Sequence, residues 1–383
     1  MQYRGSYLSY LLMYLFYFLS LALLSGLISV YLLDRGYSAS QVSLVVASSY
    51  IVSVILQPLV GYLNDHFNLK WVNSVVLIIA AILGIALIFA KHLFSITLLY
   101  SLTLGLFNST KPVIERMATL SKYQYGKIRI WGTIGYAIGS QIGGLIYQYI
   151  SPESMYFFFS ISLGICLLGI IGTRNEHKNS DIHGETTTQH LGLWNKNFIV
   201  YLIIVCLFYA ITNLNTTYLP AMFQHQGISV DKVSTIILLI TISELPIIYY
   251  SHRFMNNISN RHMLIIVFIL LIIQFGTYCF IPYNIIHVII SIGTKAVSTV
   301  IFIMLNMKIV VSIVDSDLQM SALAWVSTFN SFSSIVGQGL GGKILDTYSY
   351  TDFYLILFLI AVIGLGISYF YHCLLYTSPS PRD

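Results

Sequence analysis

Five ionic side chains fall inside long apolar runs of this 383-residue chain: Lys111, Glu115, Arg129, Glu244 and Lys295. A charge in bilayer hydrocarbon costs roughly 2.5 to 3.5 kcal/mol on insertion scales, so it survives there only where it is paired, wet or functional. Lys111 and Glu115 stand four residues apart and share one helix face, which must turn inward. Together the five offer a planar guanidinium fork, two ammonium groups and two carboxylates, which recognise hydroxyls and anions and can carry protons. Lys111, Arg129 and Lys295 outnumber Glu115 and Glu244, so the midplane is slightly positive and suits an anionic ligand. No nucleophile beside a base and no phosphate loop accompanies them, so an enzyme is not expected. His177, His183 and His190 are too widely spaced in a polar stretch to form a metal set, and no cofactor or metal is expected.

The elements that must hold these charges are membrane helices. With 57% hydrophobic and 9% charged residues, the chain has too little polar surface for a soluble globule of its length. Apolar runs long enough to cross a bilayer number twelve, from 7–33 to 353–372. Segments such as LIIVFILLIIQF (264–275) are apolar all round, which excludes the alternation of a β-barrel. The first run is too long for a signal-peptide core and should remain as the first helix. Pro58, Pro112, Pro220 and Pro246 lie within runs and should kink them.

Basic residues follow topology rather than forming a nucleic-acid patch. With a cytoplasmic N-terminus, the inner loops and helix ends hold Arg4, Lys70, Arg116, Lys122, Lys127, Arg129, Arg174, Lys178, Lys196, Arg253, Arg261 and Lys308. The outer ones hold Arg35, Lys91, Lys232 and Lys343. That asymmetry places both termini in the cytoplasm. Cys166, Cys206 and Cys279 sit inside apolar runs and imply no disulfide framework.

One long hydrophilic stretch divides the chain. Residues 1–173 should form an N-terminal six-helix bundle, 174–196 a cytoplasmic linker, and 197–372 a C-terminal six-helix bundle. The stretch CLLYTSPSPRD (373–383) breaks in composition, resembles a translated sequencing adapter and is set aside as non-native. The halves repeat one another: GYSASQVS (36–43) matches GISVDKVS (227–234), and GSQIGGLIYQYISPESMY (139–156) matches GQGLGGKILDTYSYTDFY (337–354). Ser38, Ser40, Ser229 and Asp231 can cap the helices that follow them. Gly135, Gly139 and Gly143, and Gly337 and Gly341, recur every four residues and permit close backbone approach. A parallel repeat of six-helix units puts a ligand site near midplane between the halves.

Between the second and third runs stands GYLNDHFNLK (61–70). It resembles the G-x-L-x-D-x-x-G-x-[RK] signature of the major facilitator superfamily, with Gly61, Leu63, Asp65 and Lys70 matching and Asn68 in place of the second glycine. Asn tolerates the left-handed conformation such a turn would need. The resemblance implies the major facilitator fold and a gating role for Gly61, Asp65, Lys70 and Arg116; a plain charged turn is the simpler alternative. The runs PVIE (112–115) and YGKIRIWGTIGYAIGS (125–140), with SELP (243–246), resemble the lactose permease (oligosaccharide/proton symporter) group and the 3-phenylpropionate permeases.

That closer resemblance implies roles residue by residue. Glu115 and Arg129 match the carboxylate and guanidinium that bind sugar hydroxyls, and Tyr136, two turns beyond Arg129, matches an aromatic ring that stacks on the ligand. Lys111, on the Glu115 face, joins the substrate set. Glu244 matches the glutamate that couples recognition to protonation, since a desolvated carboxylate holds a proton more firmly. Where that group carries an arginine, a histidine and a second proton-carrying glutamate, this chain has Gln274, Lys295 and Ser298, so the full relay is absent. Glu244 and Lys295 could form a replacement pair opened by a proton, or a static buried pair. Glu115 and Arg129 could likewise be a structural latch, and Tyr136 ordinary packing.

The expected function is a proton-coupled symporter for a sugar, oligosaccharide or glycoside, working by alternating access. The alternatives are an uptake carrier for a small aromatic or other carboxylic acid, and a non-transporting sensor on a transporter scaffold. The expected setting is a bacterial plasma membrane, with a monomeric chain, a small-molecule substrate, protons and lipid as partners, and no nucleic acid.

Overall fold

The computed structural model describes residues 3–174, 195–314 and 318–375, without side chains at 252–256, 320 and 372–375. The linker histidines and the tail beyond residue 375 lie outside the described residues. Everything described is helical apart from short connections: α1 Tyr7–Ser25, α2 Ile28–Asp34, α3 Ala39–His66, α4 Leu69–Ile88, α5 Leu93–Thr119, α6 Tyr125–Tyr149, α7 Ser154–Gly172, α8 Lys196–His225, α9 Val230–Ile242, α10 Glu244–Asn257, α11 Asn260–Phe280, α12 Asn284–Ile313, α13 Gln319–Thr347 and α14 Tyr350–Leu375. The pairs α1/α2 and α9/α10 are single interrupted spans, so fourteen helices make twelve crossings. Ten are long and apolar enough to cross a membrane by length and composition. Helices α6 and α13 complete the set, diluted by glycines, hydroxyls and, in α6, Lys127 and Arg129.

The turns between helices are built by local chemistry. Gly36 and Gly227, first residues of the matching repeat strings, both take positive φ, 81° and 85°, where a side chain would be strained. Ser38 and Gln41 then form a capping box at the start of α3. Ser229 opens α9 at the equivalent place but makes no side-chain cap bond. At the turn between α3 and α4 the sequence expectation is corrected. Asn68 is extended (φ −64°, ψ 121°) rather than left-handed, and its side chain accepts the amides of Lys70 and Trp71 at 3.1 and 3.2 Å. Asparagine replaces the glycine here as an N-cap, a task glycine cannot perform with a side chain.

By packing, the described chain forms two compact units. The first holds α1–α7 together with Asn213–Leu245 and Ser334–Phe353; the second holds residues up to Thr212 of α8, Pro246–Ser333, and α14 from Tyr354. In the first unit α1 lies against α6 and α7, α3 against α5, α4 against α5 and α7, and α6 against α9. Glycines set these distances. A Cβ on Gly139 would come within 2.6 Å of the Leu19 carbonyl, and one on Gly135 would meet the Leu15 carbonyl, so α1 and α6 touch backbone to backbone. Gly143 has ordinary room, with its nearest neighbour at 3.5 Å. In the second unit α11 packs on α12, and Phe208 stacks on Phe302 with centroids 3.6 Å apart.

The end of the first unit that carries Asp34 is closed by a polar seam between the two repeats. Ser29 donates to the Thr217 carbonyl at 2.5 Å, Ser43 shares a 2.7 Å bond with the Tyr218 hydroxyl, and Tyr218 donates to the Ala39 carbonyl at 2.8 Å. Gln338 reaches Thr217 at 2.7 Å. Each of these buried polar groups meets a partner, which removes the cost of burying it.

Candidate functional site

The sequence stripe Tyr7, Tyr10, Tyr14, Tyr17 runs along one face of α1 at spacings of three and four residues. Three of its hydroxyls are committed. Tyr7 donates to the Lys127 carbonyl at 3.0 Å and accepts from Trp131 at 2.8 Å; Tyr10 accepts the Arg174 amide at 3.3 Å; Tyr17 donates to the Phe107 carbonyl at 2.8 Å. The Tyr14 hydroxyl is buried without a partner at hydrogen-bond geometry. Its electrostatic neighbours are Tyr125, Glu115 and Arg129. Gly132, one turn beyond Arg129, is what lets α6 settle here, because a Cβ at that position would sit 2.9 Å from Phe18 and 3.1 Å from Tyr14.

Lys111, Glu115 and Arg129 therefore converge where α1, α5 and α6 meet, with Lys111 and Tyr14 each within electrostatic range of both Glu115 and Arg129. None is tied down. Among the described residues no ion pair within 4.0 Å joins Glu115 to Arg129 or Lys111, and no hydrogen bond engages any of the three charged ends. Arg129 instead lies over the Phe18 ring, 5.3 Å from its centroid, an attraction worth about 0.5–1 kcal/mol where exposed. Glu115 and Arg129 are half-buried and Lys111 is exposed. Three charged groups held close but not touching leave donors and acceptors free for a third party.

A second cluster lies along α6. Tyr136 is in electrostatic range of Glu244 and Tyr50, and Tyr50 of the buried Tyr100. The sequence nominates Tyr136 and Glu244 separately, and the fold brings them together. Glu244 stands at a broken turn: α9 ends at Ile242, Ser243 caps it, and α10 starts at Glu244. Pro246 causes the break, since it has no amide to return to the Ile242 carbonyl and its ring crowds that oxygen. The carboxylate thus sits at the N-terminus of a half-helix, where the backbone dipole favours negative charge. Tyr14, Tyr50, Tyr125 and Gly132 are the neighbours that sequence reasoning misses. The regular tyrosine spacing in α1 is the one signal that could have found the first of them.

Lys295 is half-buried on α12 in the second unit, where its carbonyl accepts from Ser298 and Thr299 at 3.0 and 2.9 Å. Gln274 donates to the Tyr278 hydroxyl at 2.9 Å, and Tyr278 shares a 2.5 Å bond with Ser291, so a neutral network fills these positions. Of the gating set, Gly61, Asp65 and Arg116 are exposed and Lys70 is half-buried, with its ammonium on the Thr173 carbonyl. Among the described residues Asp65 makes no ion pair.

At the closed end, an open depression of about 690 Å³ is lined by Asp34, Ser38, Gln224, His225, Asp346 and Tyr350. Its carboxylates are already engaged: Asp34 accepts from Gln224 at 2.9 and 3.0 Å and from Tyr147, and Asp346 accepts the Ser40 amide at 3.1 Å. Nearby, in the loop before α7, Glu153 forms a 2.7 Å ion pair with Arg35. Burial raises the Glu153 carboxyl, and the guanidinium more than offsets this, holding it below the usual carboxylate range.

Comparison with known proteins agrees with this architecture. The sequence model of the MFS_1 like family matches residues 7–356. The uncharacterized transporter YwbF of Bacillus subtilis (strain 168) is 23% identical over 378 residues, covering 96% of this chain and 94% of that protein. The lactose permease of Klebsiella oxytoca is 25% identical over 132 residues, covering 30% and 32% of the two chains. The crystal structure of the nucleoside transporter NupG superposes with a TM-score of 0.81 at 18% identity, covering 96% of this chain and 98% of that one.

Proposed function

Because the chain belongs to the MFS_1 like family and is a secondary transporter of the major facilitator type, we propose that it takes up a sugar, oligosaccharide or glycoside together with protons. The observation that carries this reading is the convergence of Lys111, Glu115 and Arg129 on one place with their charged ends unengaged. A structural latch between Glu115 and Arg129 would need close contact, and none within 4.0 Å exists. A guanidinium fork and a carboxylate in one cluster suit a vicinal diol, with one group donating and the other accepting. The lactose permease among the relatives supports the same substrate class.

Glu244 is the proposed coupling group, with Tyr136 between it and the substrate end of α6 and Lys295 as its candidate counter-ion. A carboxylate at a helix break can gain or lose a proton with little backbone cost, and its charge then alters what α9 and α10 attract. Gly61, Asp65, Lys70 and Arg116 are the proposed gate at the end opposite the Asp34 seam. The positive-inside asymmetry puts the gate and both termini in the cytoplasm. The chain would act as a monomer in a bacterial plasma membrane.

The test is uptake into proteoliposomes. Labelled galactosides and glucosides should enter by counterflow and accumulate under an inward proton gradient. Counterflow of an aromatic carboxylic acid with no response to any sugar would replace this substrate class by the acid. The slight excess of cations among the intramembrane charges favours that second reading.

A further inference from the structure

Lys111 is the residue that hydroxyl recognition does not use. Arg129 and Glu115 suffice to grip a diol, yet a third charged group stands one turn from Glu115 on the same face of α5, in electrostatic range of both. Among the described residues its ammonium has no hydrogen bond and no ion pair. It is exposed, in the C-terminal half of a helix that length and composition assign to the membrane. A lysine there costs insertion energy, which Glu115 offsets while Arg129 opposes it. Two cations and one carboxylate leave the cluster with a net positive charge, with the Tyr14 hydroxyl close by.

We propose that the ligand supplies the missing negative charge: it is a sugar acid, a uronate or a glycoside of one, whose carboxylate seats on Lys111 and Arg129 while Glu115 accepts from adjacent ring hydroxyls. This rests on the sugar reading of the same site and narrows it. The arrangement is matched in charge and in order along the helix, because Lys111 and Glu115 are separated by one turn and the carboxylate and hydroxyls of a uronate lie side by side on one ring. A neutral sugar leaves Lys111 uncompensated. A simple aromatic acid leaves Glu115 without donors. Charge-assisted hydrogen bonds to the carboxylate would supply affinity that a neutral hydroxymethyl group cannot.

The experiment is binding to the full chain in lipid nanodiscs, measured calorimetrically for matched pairs: methyl glucoside against methyl glucuronide, and methyl galactoside against methyl galacturonate. The proposal expects at least one uronate to bind about tenfold or more tighter than its neutral partner. In Lys111→Gln that ratio should fall to about one, and in Lys111→Arg it should persist. Because the readout is a ratio within each protein, partial misfolding cancels. Neutral sugars bound as well as or better than uronates, or an unchanged ratio in Lys111→Gln, would overturn the sugar-acid assignment and leave the sugar reading standing. Binding of neither member of any pair would overturn both. Tighter binding of 3-phenylpropionate than of any uronate would also overturn it.

Discussion

Gly144 and Gly342 occupy the same place in the internal repeat, and each is pressed against the same serine of the other half. A Cβ on Gly144 would run into the Ser234 side chain and come within 3.0 Å of the Val230 carbonyl; one on Gly342 would sit 2.5 Å from Ser43 Oγ and 2.7 Å from the Ala39 carbonyl. Ser43 and Ser234, and Ala39 and Val230, are themselves equivalent in the repeat. The seam at the Asp34 end is therefore one contact made twice. A side chain at either glycine must part it, since the obstructing atoms include backbone.

The first prediction concerns cooperation between the two contacts. With the native cysteines replaced by serine, Ser234→Cys is buried and should react slowly with a maleimide. Adding Gly342→Leu, which bears on the other contact, should raise the rate about tenfold, equivalent to about 1.4 kcal/mol against the closed seam. An unchanged rate would show that the two contacts open independently.

Asp346 offers a milder handle. Its carboxylate accepts the Ser40 amide at the start of α3, so it stabilises both that helix terminus and the seam. Asp346→Asn should raise the same alkylation rate about two- to fivefold, the range expected for a charge at a helix N-terminus. Equal rates in the two proteins would assign Asp346 to solvation alone.

The Arg35–Glu153 pair predicts a pH dependence. Glu153 is held below the ordinary carboxylate range in the folded protein, so its contribution is present above the unfolded pKa of about 4.3 and is lost as pH falls through the lower folded value. Both side chains keep some exposure, 25% and 32%, so the pair contributes about 0.5 to 1 kcal/mol. Thermal unfolding in detergent should show Glu153→Gln less stable than wild type at pH 7, with the gap closing below about pH 4. A gap of constant size across that range would remove the ion pair as its cause.

For Glu244, coupling and binding should separate. Glu244→Gln should abolish accumulation driven by a proton gradient while leaving counterflow within about threefold of wild type, because an uncharged amide cannot cycle a proton. Loss of both activities together would make Glu244 a structural residue of the α9/α10 break.

Much of this was legible in the residues. Twelve apolar runs gave the helices because membrane spans must satisfy their backbone internally. The two repeat strings are visible in the sequence, but which glycine of one half meets which serine of the other is not. The α1/α2 interruption was invisible, because Gly26 and Leu27 lie in an unbroken apolar run. Asn68 was misread because its backbone freedom drew attention while its capping side chain did not. At the site, charge rarity exposed Lys111, Glu115 and Arg129, whereas Tyr14 and Tyr50 were hidden among 29 tyrosines. Tyr10, Tyr14 and Tyr17 are all buried, so burial alone does not single out Tyr14.

The account depends most on Glu115 and Arg129 gripping the ligand directly. Calorimetric binding of the preferred sugar to wild type, Glu115→Gln and Arg129→Lys in nanodiscs tests this most directly. Each variant should bind about tenfold or more weakly, the loss expected for a charged hydrogen-bonding partner, with the protein still folded. Wild-type affinity in both variants would contradict the account and remove this cluster from the transport site.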